Sequence, residues 1–287
     1  MMLTTAALAL ATLAAVAGLQ QRTDTTVAVP AGARLSLSNH AGTIRVTSWD
    51  RPEMRVRAEH GSRDAIEVDV RGAVVRVRAN RRYGMPAFVE YDITVPRAMA
   101  VDLDGVETDI TIEGVGGDIS ARSVEGGITV RGAGGAVTLN SVEGDITMDG
   151  GRGRISVQGV DGSIRVTGAR GDLAVETVDG DVTLEDIESA NVDVGTVDGT
   201  ITYAGTIQND GRYRLTSHEG DVVLRVPTSV NATVSVATFE GSFEADPAFR
   251  VQVSSVRRGR RFSFTLGTGS ARVELETFEG EIRLRSR

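Results

Sequence analysis

Glycine recurs every nine residues through the middle of the chain, and no other feature constrains the fold as strongly. The glycines stand at positions 117, 126, 135, 144, 153, 162, 171 and 180; Ser189 takes the next place, and Gly199 follows after one inserted residue. Apolar side chains lie two and four positions after each glycine, as Ile146 and Met148 follow Gly144, with mostly polar or β-branched residues between them. Alternation with a period of two predicts short β-strands with one buried face.

A second period of about eighteen residues lies on top of the first, because acidic and small or mixed residues alternate before successive glycines. The acidic members are Val124-Glu125, Val142-Glu143, Val160-Asp161, Val178-Asp179 and Val197-Asp198. The members between them are Ala133-Gly134, Gly151-Arg152 and Ala169-Arg170. Three later members, at wider spacing, are His218-Glu219-Gly220, Phe239-Glu240-Gly241 and Phe278-Glu279-Gly280. One structural unit therefore contains two strands and two turns.

Stacked coils explain the longer period. Successive coils of a helical stack lie about 4.8 Å apart, so each corner position becomes a column of like side chains. An antiparallel meander would share the nine-residue period but gives no reason for the longer one. We therefore predict an all-β fold, a parallel β-solenoid of roughly 18–21-residue two-strand coils with corners of about three residues and an N-terminal β-sheet cap.

The two ends of the chain differ from the repeats, and we divide the sequence into three parts. Residues 1–17 are predicted to be a signal peptide, because Ala15-Val16-Ala17 closes a short apolar run that begins at Leu3; a retained anchor is the alternative. Residues 18–101 read as short strands that form an N-terminal β cap region, which a repeat array needs at its exposed end. Residues 102–287 form the β-solenoid repeat region, and hairpin loops are expected at 81–86 and 257–260.

Composition limits the classes of partner and site. Cysteine is absent, which excludes disulfides and thiolate metal sites. Residues 102–246 carry 9 arginines against 26 acidic residues, which argues against the continuous basic stripe that nucleic acid requires. The arginine-rich hairpin tips could contact anionic lipid, although such tips more often keep a sheet edge soluble.

The acidic residues before the glycines form the most suggestive constellation. Its members are Glu125, Glu143, Asp161, Asp179, Asp198, Glu219, Glu240 and Glu279. Stacked carboxylates repel one another and could bind a divalent cation, but acidic residues before glycine also suit a corner, and we favour that interpretation. The calcium-binding nonapeptide motif does not fit, because Ile155 takes its aspartate position.

No enzyme signature is present. The three histidines, His40, His60 and His218, have unrelated spacing, and neither H-E-x-x-H nor G-x-S-x-G occurs. Trp49 could be a carbohydrate platform, but a lone aromatic beside a strand is more often part of a core. We therefore predict no catalytic, cofactor-binding or metal-ligating residue and no cofactor.

The mature sequence resembles a bacterial domain-of-unknown-function family with β-strand repeats, often labelled "putative adhesin". The resemblance rests on Val29-Pro-Ala-Gly-Ala-Arg-Leu35, Gly42-Thr-Ile-Arg-Val46, Ser48-Trp-Asp-Arg51 and on repeats such as Gly144-Asp-Ile-Thr147 and Gly180-Asp-Val-Thr183. It implies an envelope or extracellular location and a non-enzymatic role, and it brings no catalytic residues.

These observations predict an exported, non-catalytic β-repeat protein that acts as a surface or periplasmic adhesion or scaffold module. Its location would be secreted, periplasmic or cell-envelope associated. Its partner would be an envelope or cell-surface ligand of unknown identity, not nucleic acid, and no transmembrane span would remain after signal cleavage. Two alternatives stay open: a cation-stabilised repeat protein that uses the acidic corner column, and a carbohydrate-active β-helix enzyme.

Overall fold

β-Strands make up most of the chain in a computed structural model, which describes residues 20–81, 84, 87–249, 251 and 261–287. The N-terminal strands are β1 (Gln20–Ala28), β2 (Arg34–Trp49), β3 (Glu53–Gly61), β4 (Asp64–Arg71), β5 (Val74–Arg81), β6 (Phe88–Pro96) and β7 (Ala100–Glu113). The repeat strands are β8 (Ile119–Glu125), β9 (Ile128–Arg131), β10 (Val137–Glu143), β11 (Ile146–Asp149), β12 (Ile155–Asp161), β13 (Ile164–Thr167), β14 (Leu173–Glu176), β15 (Val182–Ile187), β16 (Asn191–Asp198), β17 (Ile201–Gly205), β18 (Arg212–Glu219) and β19 (Val222–Val226). The last strands are β20 (Ala232–Ala245), β21 (Arg261–Leu266) and β22 (Ala271–Ser286), and a 3-10 turn spans Pro247–Phe249. The predicted signal peptide and most of both predicted hairpin loops lie outside the described residues.

Each eighteen-residue repeat forms one coil of a parallel β-solenoid, as predicted. Equivalent residues of successive coils pair in parallel, so that Ile146 lies between Ile128 and Ile164. The corners differ from the expected three residues. A first corner of two residues joins β8 to β9, and a second corner of five residues joins β9 to β10. The first corner is short because its glycine adopts a positive φ, which reverses the chain in little space.

The core runs along the axis of the stack as ladders of branched aliphatic side chains. Ile146, Ile164 and Val182 are each at most 1% exposed, as their fixed offset from glycine predicts. The intervening side chains, such as Thr138, point outward and are exposed. Each interior position repeats in the coils above and below, so each of these side chains packs between two similar ones. Burial of an Ile or Val side chain stabilises the fold by roughly 1.5–3 kcal/mol relative to leaving it exposed.

The N-terminal end is closed by antiparallel strands. β2 is long enough to run along both faces of one coil, and it pairs in parallel with β7 over nearly its whole length. Outside it, β5 and β6 pair in parallel with the two halves of β2. Beyond these, β4 pairs with β5, β3 with β6 and β1 with β3, all antiparallel. The direction of pairing therefore changes at the end of the stack, which provides the predicted β-sheet cap.

The C-terminal end does not follow chain order. β22 lies between β18 and β19 on one side and β20 on the other, and it is parallel to all three. β21 pairs antiparallel with β20 and forms the outermost strand on that face. The last strand of the chain therefore forms the penultimate coil of the solenoid, and β20 stacks on it.

The second corner is longer between Ile187 and Tyr213, so the coils in this part of the stack contain more than eighteen residues each. Tyr203 and Tyr213 fill the added interior space with an edge-to-face contact of 5.9 Å between ring centroids. The Tyr213 hydroxyl donates to the Ser189 carbonyl (2.6 Å) and accepts from the backbone N–H of Gln208 (2.8 Å). The two rings fill the wider interior, and the Tyr213 hydroxyl forms hydrogen bonds with backbone groups of the longer corner.

Candidate functional site

A continuous column of exposed apolar side chains runs along the first corner. We call it the apolar column; in spatial order it contains Val106, Val124, Val142, Val160, Val178, Val197, His218, Phe278 and Phe239. The exposed fractions of its eight apolar members are 38–56%, which is high for side chains of this size. Nine coils stacked about 4.8 Å apart give the column a length of roughly 38 Å.

The C-terminal third of the apolar column is aromatic. Phe278 stacks on His218 with ring centroids 4.9 Å apart and on Phe239 at 4.7 Å, with interplanar angles of 13° and 9°. Phe278 therefore has both ring faces covered, while His218 and Phe239 each have one face covered by it. The stack also lines a groove of about 420 Å³ together with Thr216 and the ion pair of Arg261 with Glu276 (3.5 Å).

A column of carboxylates runs beside the apolar column. In spatial order this acidic column contains Glu107, Glu125, Glu143, Asp161, Asp179, Asp198, Glu219, Glu279 and Glu240. All eight carboxylates singled out in the sequence lie in it, but Glu279 precedes Glu240 because β22 lies inside β20. Glu107 was missed, since Thr108 follows it instead of glycine; the Val106-Glu107 pair was the available signal.

Most of the acidic column has no cationic partner. Only Glu219 is within ion-pair distance of a basic side chain, His218 at 3.9 Å, among the residues that the structure describes. By contrast, several carboxylates on the flat faces are paired, as Glu244 is with Arg285 (2.8 Å). We call the apolar and acidic columns together the corner ridge: an apolar stripe flanked by unneutralised negative charge.

The arrangement of the acidic side chains limits where a metal ion could bind. Within the described part of the chain, no three His, Cys, Asp or Glu side chains converge closely enough to hold one metal ion. The carboxylates of the acidic column follow one another in line along the stack, whereas a cation site needs ligands that surround the ion.

A second set of acidic residues, two positions after every second member of the acidic column, has a different role. In every second coil, an aspartate side chain accepts a hydrogen bond of 2.8 Å from the backbone N–H of the next coil. These aspartates are Asp109, Asp145, Asp181 and Asp221. They satisfy backbone donors that the tight corner would otherwise leave unpaired. The sequence placed Asp145 and Asp181 within repeats but gave no sign of this role.

Buried hydroxyl groups hold the corner backbone from the inside. Ser123, Ser217 and Thr277 each donate to the carbonyl at the corner of the preceding coil, at 2.9–3.1 Å. Each of these residues is at most 3% exposed. Where both bonds are present, the corner is bonded between coils on both sides; the equivalent hydroxyls of Ser141, Thr177 and Thr238 have no hydrogen-bond partner among the described residues.

The other sequence candidates lie apart from the ridge or are already occupied. His60 is buried and hydrogen bonds to Thr23 (2.9 Å) and to the Gly61 carbonyl (3.0 Å), whereas His40 is exposed on β2. Trp49 is partly buried, donates to the Glu53 carbonyl (2.6 Å), and has the Arg51 guanidinium 5.0 Å above its ring. Arg51 therefore occupies the ring face that a sugar would need.

No helix in the described residues is both long and apolar enough to cross a bilayer. The longest helical segment there is the three-residue 3-10 turn at Pro247–Phe249.

Several solved structures and one family model are similar to this chain. No curated protein matches it in sequence. It is similar to the crystal structure of a "putative adhesin" from Parabacteroides distasonis, with 9% identity, a TM-score of 0.48, and coverage of 94% of this chain and 98% of that one. A "putative adhesin" from Bacteroides fragilis gives 11% identity, a TM-score of 0.41, and coverage of 92% and 97%. A "putative cell adhesion protein" from Clostridium sporogenes gives 13% identity, a TM-score of 0.26, and coverage of 93% and 100%.

The family assignment agrees with the resemblance found in the sequence. The model of the family described as Toastrack DUF4097 matches residues 21–285, from the first capping strand to the end of β22. The chain belongs to the Toastrack DUF4097 family.

Proposed function

We propose that this protein is an exported, non-catalytic adhesion or scaffold module that binds an envelope or cell-surface partner along the corner ridge. One observation carries the proposal: exposed apolar side chains, interrupted once by His218, form a column about 38 Å long beside carboxylates of which only Glu219 is within ion-pair distance of a basic side chain in the described residues. Scattered exposed hydrophobic residues are normal on protein surfaces, but a contiguous stripe marks an interaction site.

The chemistry of the ridge defines its partner. An apolar stripe flanked by one line of negative charge is complementary to a surface that carries apolar side chains beside arginine or lysine. Burial of the apolar column would supply the binding energy, and the carboxylates would orient the partner and speed association. A protein partner with a basic, apolar edge fits this description.

Export is supported by the sequence. The apolar run that ends at Ala15-Val16-Ala17 has the form of a cleaved leader, and intact-mass measurement of the exported protein is expected to give a chain that begins at Gly18. A secreted, periplasmic or envelope location follows from the same feature and agrees with the expectation for the resembling family.

The ridge proposal is tested by removing the apolar stripe. Val142, Val160 and Val178 are changed together to serine, and binding to envelope preparations of the native organism is measured by sedimentation. The matched control changes three outward-facing threonines, Thr129, Thr147 and Thr183, to serine on another face. The ridge variant is expected to lose binding by about tenfold or more, because three apolar contacts are removed. Equal loss in both variants would exclude the ridge as the contact surface.

A second candidate is stabilisation by a divalent cation, favoured by the in-register carboxylates without ion pairs. Calcium should then raise the melting temperature of the native chain, and Asp179→Asn should reduce that increase. A melting temperature that is independent of calcium would eliminate this candidate and leave the partner-binding role.

A further inference from the structure

Four arginines without carboxylate ion pairs lie along one outer face, away from the corner ridge. They are Arg154, Arg212, Arg214 and Arg272, and all are exposed. None makes an ion pair or a side-chain hydrogen bond with any residue that the structure describes. Other arginines on the flat faces do form ion pairs, for example Arg55 with Asp24 (2.6 Å) and Arg78 with Glu67 (2.7 Å).

The four arginines border an open groove of about 670 Å³ next to the second corner. Small outward side chains on adjacent strands, Ser156 on β12 and Ala174 on β14, form its floor. Arg154 stands at one end, and the other three arginines stand at the opposite end on β18 and β22. Three strand spacings separate Arg154 from Arg212, which gives roughly 14 Å along the groove.

Two of the arginines are forced together by the strand register. Arg212 and Arg272 are directly paired neighbours on β18 and β22, so two like charges stand one above the other. Like charges opposite each other destabilise a sheet, and an oxyanion bound between them would remove the repulsion and accept charge-assisted hydrogen bonds from both guanidinium groups. Arg214 projects from the same strand two residues further on and can complete the anion site.

Acidic and amide groups in the same groove narrow the class of ligand. Asp172 accepts a hydrogen bond from the Asn191 amide (2.8 Å), and Asp193 and Glu274 lie in register on either side of Arg214. Nucleic acid, with a charge at every phosphate, would meet these carboxylates repeatedly. A ligand with widely spaced anionic groups and many hydroxyls would instead pair its anions with the arginines and donate its hydroxyls to the carboxylates.

We propose that this groove binds an acidic oligosaccharide, one whose carboxylate or other oxyanion groups are separated by uncharged, hydroxyl-bearing surface. One anionic group lies between Arg212 and Arg272, and a second contacts Arg154. The site is separate from the corner ridge and does not depend on the function proposed for it.

The test uses the full mature chain and, as the probe, a hexasaccharide in which glucuronic acid alternates with N-acetylglucosamine, so that an uncharged sugar separates successive carboxylates. Binding is measured by calorimetry at low and physiological salt. The fully methyl-esterified hexamer has the same backbone without charge, and inorganic phosphate at matched ionic strength represents an isolated oxyanion. The acidic hexamer is expected to bind with an affinity that falls as salt rises, and the ester and phosphate are expected to bind at least about tenfold more weakly.

Matched variants assign the binding to the groove. Arg212→Gln with Arg272→Gln is expected to weaken binding of the hexamer by about tenfold or more, since two charge-assisted hydrogen-bond donors are removed. The control, Arg76→Gln with Arg225→Gln, removes the same charge from exposed arginines elsewhere and should leave binding unchanged. The unfolding midpoint of the groove variant should equal or exceed that of the parent, because repulsion is relieved.

Several results would overturn the proposal. Equal weakening in the groove and control variants would show only general charge attraction. Equal binding of ester and acid would exclude an anion site, and equal binding of phosphate would exclude an oligosaccharide. Absence of hexamer binding by the parent chain at low salt would also reject the assignment. Loss of ridge binding in the separate valine variants leaves all these outcomes unaffected, so the two proposals fail independently.

Discussion

At the scale of single residues, the first-corner glycines combine a positive φ with close contact to the preceding coil. Gly180 adopts a φ of 138°, and a Cβ atom on it would lie 2.3 Å from the carbonyl oxygen of Gly162 in the preceding coil. Both the backbone conformation and the distance between coils therefore require glycine. Gly195, inside β16, has neither constraint, because nothing lies within 4 Å of an added Cβ there.

These two glycines give a matched prediction. Gly180→Ala is expected to lower the free energy of unfolding by about 1–3 kcal/mol or more, since it adds backbone strain and a contact between coils. Gly195→Ala is expected to be neutral or to stabilise by up to about 1 kcal/mol, because it restricts the unfolded chain. Urea unfolding of both variants measures the difference. Equal midpoints would show that the corner can relax around a methyl group.

The interior ladders give a second prediction for single residues. Ile164 is 1% exposed between Ile146 and Val182, so Ile164→Asp buries a carboxyl group without a partner. The expected loss is at least about 3 kcal/mol in the free energy of unfolding. Thr138→Asp, on the outward side of β10, is the control and should change stability by no more than about 0.5 kcal/mol. An unchanged midpoint for the Ile164 variant would refute the register.

At the scale of the element, every second first corner carries two acidic groups with opposite consequences for stability. The aspartates after the glycine accept hydrogen bonds from the next coil, as Asp181 does from the Thr200 N–H (2.8 Å). The carboxylates before the glycine form the acidic column and face like charges on neighbouring coils, as Asp179 does between Asp161 and Asp198. Asp179 and Asp181 are two residues apart in sequence, but the first faces like charges that destabilise the corner and the second accepts a hydrogen bond that stabilises it.

Two substitutions in one corner separate these roles. Asp179→Asn removes one charge from the column and is expected to raise the melting temperature by about 1–3 °C at low salt, an effect that high salt abolishes. Asp181→Ala leaves the Thr200 N–H without its partner and is expected to cost about 1–3 kcal/mol at all salt concentrations. Calorimetric scans across a salt series compare them. If both variants melt like the parent at every salt concentration, the carboxylates neither repel one another nor support the corner.

At the scale of the whole molecule, the non-sequential order at the C-terminal end links the last strand to the integrity of the stack. β22 separates β20 from β18 and β19, so β20 and β21 contact the solenoid through β22. The N-terminal edge strand β1, in contrast, pairs only with β3. Removal of β22 from inside the stack should therefore reduce the stability of more strands than removal of the edge strand β1.

Truncation tests this difference. Deletion of residues 271–287 is expected to abolish hydrogen-exchange protection in β20 and β21 as well as at the newly exposed edges of β18 and β19, because the nearest-neighbour interface is lost. Deletion of residues 20–28 should reduce hydrogen-exchange protection mainly in β3, because β3 is the strand with which β1 pairs. Retained protection of β20 after the C-terminal deletion would mean that it can stack directly on β18 and β19.

The sequence by itself determined the coil, because glycine spacing, alternation and the acid-glycine pairs are local patterns with a direct structural meaning. The interior positions of Ile146, Ile164 and Val182, and the alignment of the carboxylates before the glycines, followed from those patterns. The tertiary structure alone decided the position of β22, since parallel strands of similar sequence can stack in more than one order. It also decided the hydrogen-bonding role of Asp181 and the position of Arg154, Arg212 and Arg272 along one groove, because these depend on distances between coils. Residues far apart in sequence become neighbours only when the number of residues in each coil, and the order in which the coils stack, are fixed.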